Sequence, residues 1–275
     1  MSNKSISRVV QDLKNIQIVK KLCDNSSNSG SYENLYVCKK KGDPNQYVCK
    51  IIKEKMFNPL EFAIAKLMSN NVNFIDVYNC YYTKKGHVIL IMDYVVDGDL
   101  FELVKSKQSS ILDEALCRKI LINLITALND LHAQQFIHND VKLENLLFDI
   151  KRKRLYLCDF GLVKCINVPS HYDGTTIYFS PEKIAKIPCT QSFDWWAVGI
   201  VAYELLSKNY PFEFDEEEED EINPKEMMNI YKQPLKKIPN ISKNAMDFVR
   251  QMLMLDINKR LSTYDQIIKH PFLNI

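Results

Sequence analysis

The sequence predicts an α+β fold in two parts: a small antiparallel sheet with one inserted helix, then a larger, mainly helical part. Three observations predict it. Short runs rich in β-branched and aromatic residues fill the first third, and clusters of Gly, Asn, Ser and Asp separate them. Apolar residues at helical spacing dominate after Asp97-Gly98-Asp99. At 275 residues the chain exceeds the usual size of one hydrophobic core.

Taken in order, Ile16–Leu22, Asn34–Cys38, Tyr47–Ile52 and His87–Met92 read as strands, giving a sheet of four or five. Between the third and fourth, Leu60, Ile64 and Leu67 recur at helical spacing within Pro59–Met68. Beyond residue 99, Leu116, Ile120, Leu124, Leu128 and Leu131 form one apolar helix face. Ser110 and Asp113 offer a capping box to start it. Asp194–Ser207 is apolar nearly all round, which predicts a central helix. Asn244–Leu255 and Thr263–His270 follow, and Pro271 stops the last.

Composition narrows the function classes. The apolar fraction of 46% and charged fraction of 25% are those of a soluble globular protein. The eight cysteines lack C-x-x-C spacing and several sit in apolar runs, which points to free thiols in a reducing compartment. No signal peptide, membrane span or lipid-anchor motif is expected, so the reading is intracellular, in cytoplasm or nucleus. Basic residues are scattered without interleaved aromatics, which argues against direct nucleic-acid binding. The net charge of +2 hides an asymmetry, because residues 213–221 carry eight acids and the remainder is basic. That run reads as a solvated loop or as a dock for a basic partner. Lys151-Arg152-Lys153-Arg154 reads as the turn of a hairpin between Leu146–Ile150 and Leu155–Cys158, with a nuclear signal as the other reading.

The chemistry is concentrated at residues 138–161. They read His-Asn-Asp-Val-Lys-Leu-Glu-Asn, then an apolar run, then Asp-Phe-Gly. Transfer of a phosphoryl group requires neutralised phosphates, in-line positioning and an oriented acceptor hydroxyl. Asp159 and Asn145 supply hard oxygen ligands suited to Mg²⁺. Asp140 can accept or orient a hydroxyl proton. Lys142 can reach the phosphoryl group in transfer. Upstream, Lys50 lies inside an apolar strand, where an unpaired charge is costly, and Glu61 on the predicted helix is its natural partner.

This H-x-D-x-K-x-x-N followed by D-F-G resembles the catalytic and metal-binding loops of eukaryotic-type protein kinases. The resemblance implies a bilobal kinase fold as a single domain over 1–275. Its N-lobe would span about 16–94, its hinge about 92–98 and its C-lobe about 99–275. It implies ATP and Mg²⁺ as cofactors, with Asn145 and Asp159 as metal ligands and Lys142 marking a Ser/Thr acceptor. By the same resemblance, Lys50 and Glu61 position the α- and β-phosphates, with Leu35 and Val48 beside the nucleotide. Met92-Asp93-Tyr94-Val95 matches the adenine hinge, with Met92 as gatekeeper and the backbone of Asp93 and Val95 on the adenine edge. Asp99 falls where an acid meets the ribose or a substrate Arg.

Gly174-Thr175-Thr176-Ile177-Tyr178-Phe179-Ser180-Pro181-Glu182 matches the peptide-platform motif G-T-x-x-Y-x-[AS]-P-E. It implies that Thr175 bonds near Asp140 and Lys142, and that Glu182 pairs with Arg260. Asp194 of D-x-W-x-x-G is implied to anchor the catalytic-loop backbone.

The chain departs from the family pattern twice. Of the glycine-rich loop G-x-G-x-x-G only Gly30 remains, with Asn28 able to substitute conformationally and Glu33 unfavourable near phosphates. This weakens the nucleotide loop and keeps a pseudokinase scaffold as the alternative, against which Lys50, Asp140, Asn145 and Asp159 stand. The second departure is Asn139, where the family carries an Arg that pairs with an activation-segment phosphate. Its loss predicts activity without phosphorylation of the segment between Asp159 and Glu182.

In its motifs and its lack of appended domains, the chain most resembles the very late Ser/Thr kinases of insect baculoviruses. That branch implies a basic, Arg-rich, DNA-condensing viral protein as substrate, with the chain itself as a further acceptor, in the nucleus or cytoplasm of an infected cell. It implies no membrane partner. The chain would act as a monomer or a homodimer.

Overall fold

A computed structural model describes residues 13, 15–22, 34–105, 112–213 and 223–274. The chain divides into two compact units, Met1–Val96 and Asp97–Ile275. Asn28, Gly30, Glu33, Ser110, Cys23 and the acidic run beyond Glu213 lie outside the described residues.

The first unit is one antiparallel sheet of order β1-β2-β3-β5-β4. Its strands are β1 (Ile16–Lys21), β2 (Asn34–Lys40), β3 (Gln46–Lys53), β4 (Val77–Tyr82) and β5 (His87–Asp93). β4 is the strand that the sequence did not single out. Its partly buried Asn79-Cys80-Tyr81 lacks the clean apolar run of its neighbours. Register fixes the two faces. Leu35 pairs with Lys50, Val48 with Met92, and Lys50 with Leu90, so these five side chains share one face. Tyr36, Cys38, Cys49, Ile51, Ile89 and Ile91 form a buried cluster on the other. The inserted helix α1 (Pro59–Leu67) starts where Asn58 accepts a hydrogen bond from the N–H of Leu60, with Pro59 at its first position.

The second unit is helical around two long elements. α2 (Leu100–Lys105) is short. α3 (Glu114–Ala133) buries Leu124, Leu128 and Leu131 along the predicted face, but it is capped by Asp113, whose carboxylate accepts the N–H of Leu116 at 2.7 Å. The cap is thus three residues later than a Ser110 box would place it. A hairpin follows, β7 (Leu146–Asp149) with β8 (Arg154–Leu157), and residues 151–153 turn between them. A two-residue pair, β6 (Phe136–Ile137) with β9 (Lys164–Cys165), flanks it.

The chain then forms α4 (Pro181–Ile184), α5 (Ser192–Ser207), α6 (Pro224–Ile230), α7 (Lys243–Met252) and α8 (Tyr264–Ile268). Fifteen of the sixteen residues of α5 are buried, which is why it shows no amphipathic stripe. The cysteines among the described residues are free thiols. No described helix is long and apolar enough to cross a membrane.

Candidate active site

In the first unit, Lys50 extends from the middle of β3 and Glu61 from the first turn of α1. They meet at 2.7 Å, with both side chains buried. A buried lysine needs such a partner, since desolvation otherwise expels its charge. Val48 lies two residues before Lys50 on the same sheet face and is buried; Leu35 and Met92 on that face are half-buried. The N–H of Asp93 is donated to Asp76 O at 3.0 Å, so adenine bonding through Asp93 would use its carbonyl. Val95 is half-buried two residues on.

In the second unit, the loop that begins at His138 hangs from one buried carboxylate at the start of α5. Asp194 accepts the N–H groups of His138 (2.8 Å) and Asn139 (2.9 Å) and a hydrogen bond from His132 Nε2 (2.8 Å). Burial would raise its pKa. The bond from His132, the neighbouring imidazoles and the Asn139 N–H outweigh that and hold it below the ordinary carboxylate value.

The loop places Asp140 so that both carboxylate oxygens are engaged. Oδ1 accepts the Thr175 N–H at 3.0 Å and its hydroxyl at 2.9 Å, and Oδ2 accepts Asn145 Nδ2 at 3.1 Å. Lys142 Nζ lies 3.4 Å from Oδ2 and donates to Thr175 Oγ1 at 2.8 Å. Sequence positions 140, 142, 145 and 175 therefore converge on one carboxylate.

Asn145 and Asp159 are brought together by the β7–β8 hairpin. Leu146 pairs with Leu157, and the N–H of Cys158 continues the ladder to Asn145 O at 3.1 Å. Asp159 is the next residue. His138 ties the same two segments: its Nε2–H donates to Cys158 O at 3.0 Å while its Nδ1 faces the Asp140 N–H at 3.4 Å.

The donor set fits Mg²⁺. Asn145 Nδ2 is spent on Asp140 O (2.7 Å) and Oδ2, leaving the amide oxygen as its ligand atom, and Asp159 adds a carboxylate. Two protein oxygens suffice for an ion that keeps waters and takes phosphate oxygens. Asp99 caps α2, accepting the Glu102 N–H at 2.9 Å, and burial pushes its carboxyl up to about 6.

Glu182 and Arg260 form a buried two-point ion pair, at 2.7 and 2.9 Å, with the guanidinium over the Trp196 ring.

Three residues that the sequence reading passed over complete the picture. Asp173 accepts Asn139 Nδ2 at 3.0 Å and pairs with Lys164 at 2.8 Å and Lys183 at 3.4 Å. Burial would raise its pKa, but Lys164, Asn139 and Lys183 hold it below the ordinary value. Lys164 and Lys183 look like surface lysines in sequence. The only local hint was Asp173-Gly174, an acid placed one residue before the glycine of a motif.

The protein kinase domain family matches residues 28–273. Serine/threonine-protein kinase 1 of Heliothis zea nuclear polyhedrosis virus is 38% identical over 245 residues, covering 89% of this chain and 90% of that protein. The protein of the same name from Orgyia pseudotsugata multicapsid polyhedrosis virus is 42% identical over 231 residues, 82% of each. The solved structure of the Cydia pomonella granulovirus kinase PK-1 is 56% identical with a TM-score of 0.87, covering 99% of this chain and all of that one. With its sheet register, its loop around Asp140 and these matches in agreement, the chain belongs to the protein kinase domain family, among the baculovirus serine/threonine-protein kinases.

Proposed function

We propose that the chain is an active Ser/Thr kinase, one that transfers the γ-phosphoryl group of ATP to basic, Arg-rich protein substrates without a phosphate on its own activation segment. The observation that carries the catalytic part is the fourfold engagement of Asp140 by Thr175, Asn145 and Lys142. It aims a carboxylate at one place, as acceptance of a hydroxyl proton requires. Lys142 beside it supplies positive charge for the transferring group. Lys50, held by Glu61, would meet the nucleotide phosphates, and Leu35, Val48, Met92, Asp93 and Val95 would receive the base. Mg²⁺, held by Asn145 and Asp159, would neutralise the phosphate charge when bound.

Two observations support phosphate independence. The Asp173 carboxylate stands beside Asn139, Lys164 and Lys183, where a built-in anion can do the work of a phosphate. Ser170 is 8% exposed, and its hydroxyl has no hydrogen-bond partner among the described residues, so its phosphorylation would bury a dianion. Basic substrates are supported by the acidic run and by Asp99, with Glu144 and Glu102 acting on its carboxyl. The free thiols suit the reducing interior of an infected cell.

Labelled phosphate transfer to an Arg-rich protein tests this. Asp140→Asn should lower transfer by about 10²–10⁴-fold. Wild type treated with phosphatase, or carrying Ser170→Ala, should keep its rate. Equal transfer by wild type and Asp140→Asn would reveal a contaminating kinase, and transfer by neither would make the chain a scaffold.

A further inference from the structure

Lys183 follows Glu182 on the four-residue helix α4, yet it is 2% exposed. Its ammonium has three donors. They meet Asn139 Oδ1 at 2.6 Å, Asp173 O, and the Asp173 carboxylate at 3.4 Å, with Asn139 O also at 3.4 Å. The Phe179 ring lies beneath it, 4.4 Å from Nζ to the ring centre. Burial lowers its pKa and Asp173 opposes that shift. Among the described residues, Glu182, its neighbour, is taken by Arg260 on the other side, so the two adjacent charges serve different partners.

All four oxygen contacts of Lys183 lie on the residue before Asp140 or the residue before Gly174. Those two chains touch at Gly174. A Cβ there would stand 3.1 Å from Asn139 O, 3.2 Å from Asp140 Oδ1 and 3.6 Å from Lys183 Nζ, at a φ of +102°. The next residue, Thr175, gives Asp140 two of its hydrogen bonds. The ammonium therefore sits behind the junction that aims the Asp140 carboxylate. The loop itself brings Asn139, a neutral residue, to this junction.

We infer that Lys183 is a positioning residue for phosphoryl transfer: its buried ammonium clamps Asn139 of the catalytic loop to Asp173 of the activation segment and so holds Asp140 and Thr175 in register. This rests on the kinase reading above and deepens it, because it names the buried cation that, beside the partly exposed Lys164, partners the built-in Asp173 anion. The covalent step is unchanged, and Lys183 touches no reacting atom.

The test measures phosphoryl transfer per active site, with sites counted by burst titration, on Lys183→Met and Asp173→Asn in the full chain. Lys183→Met keeps the stem and removes the charge and donors. It should lower kcat tenfold or more while the KM for ATP stays within twofold. A role in folding alone would lower the melting temperature and the count of active sites but leave kcat per site within threefold, and that result overturns the inference. If Lys183→Met does not fold, Asp173→Asn decides, since it weakens the clamp while leaving Lys183 in place. A kcat fall of fivefold or more at constant KM supports the clamp, and a change below twofold overturns it. If wild type transfers no phosphate the kinase reading fails. If wild type is active and both variants match it per site, the role of Lys183 alone fails.

Discussion

Asn139 and Asp159 stand in the left-handed region of backbone space, at φ +69° and +61°. Such positions cost about 1–3 kcal/mol for residues other than glycine, least for Asn and Asp. The cost is met locally. Asn139 donates its side chain to Leu162 O and Asp173, and its N–H to Asp194. Its replacement of a cation is therefore also a conformational choice. Asp140, Lys142, Asn145 and Asp159 were legible in the sequence because their spacing is local and their chemistry specific. Asp173, Lys164 and Lys183 were not, because their meaning depends on three segments meeting in space. The Glu182–Arg260 pair joins residues 78 positions apart, and only a resemblance pointed to it. Arg260→Ala should destabilise the chain by about 3–5 kcal/mol, since it strands a buried carboxylate. Urea titration would measure this, and a loss below about 1 kcal/mol would mean that Glu182 finds another partner or protonates.

At the level of elements, α5 and α3 were legible for opposite reasons. α5 is apolar on every side, whereas α3 repeats its leucines at helical spacing. α2 and α6 were missed, since six and seven residues give too few turns for a period to emerge. α2 carries its own pH signature through its cap. Asp99 titrates at about 6 in the folded chain, above the ordinary carboxylate value of about 4. Between these values the folded chain holds a proton that the unfolded chain has lost, so this group's contribution to stability falls as pH rises through that window. Asp99→Asn keeps an oxygen for the Glu102 N–H and removes the titration. The melting temperature of the variant relative to wild type should climb from about pH 4 to about pH 6 and level off above it. A constant difference across that range would show that Asp99 ionises normally.

The molecule as a whole couples a near-neutral net charge to a strongly uneven distribution. Glu213, the first acid of the 213–221 run, pairs with Lys236. The other acids of the run lie outside the described residues. Neutralising residues 213–221 should raise the KM for an Arg-rich substrate at low salt, with the difference shrinking as salt screens it. An unchanged KM at low salt would leave the run no part in substrate capture. The cluster around Asp173 has a consequence at this scale too. A phosphate can be added late and taken away, whereas a carboxylate is present from the moment of translation. On the phosphate-independent activity proposed above, a kinase whose anion is encoded would give a host's phosphatases nothing to remove. Its output would then be governed by when its gene is expressed and how much protein accumulates.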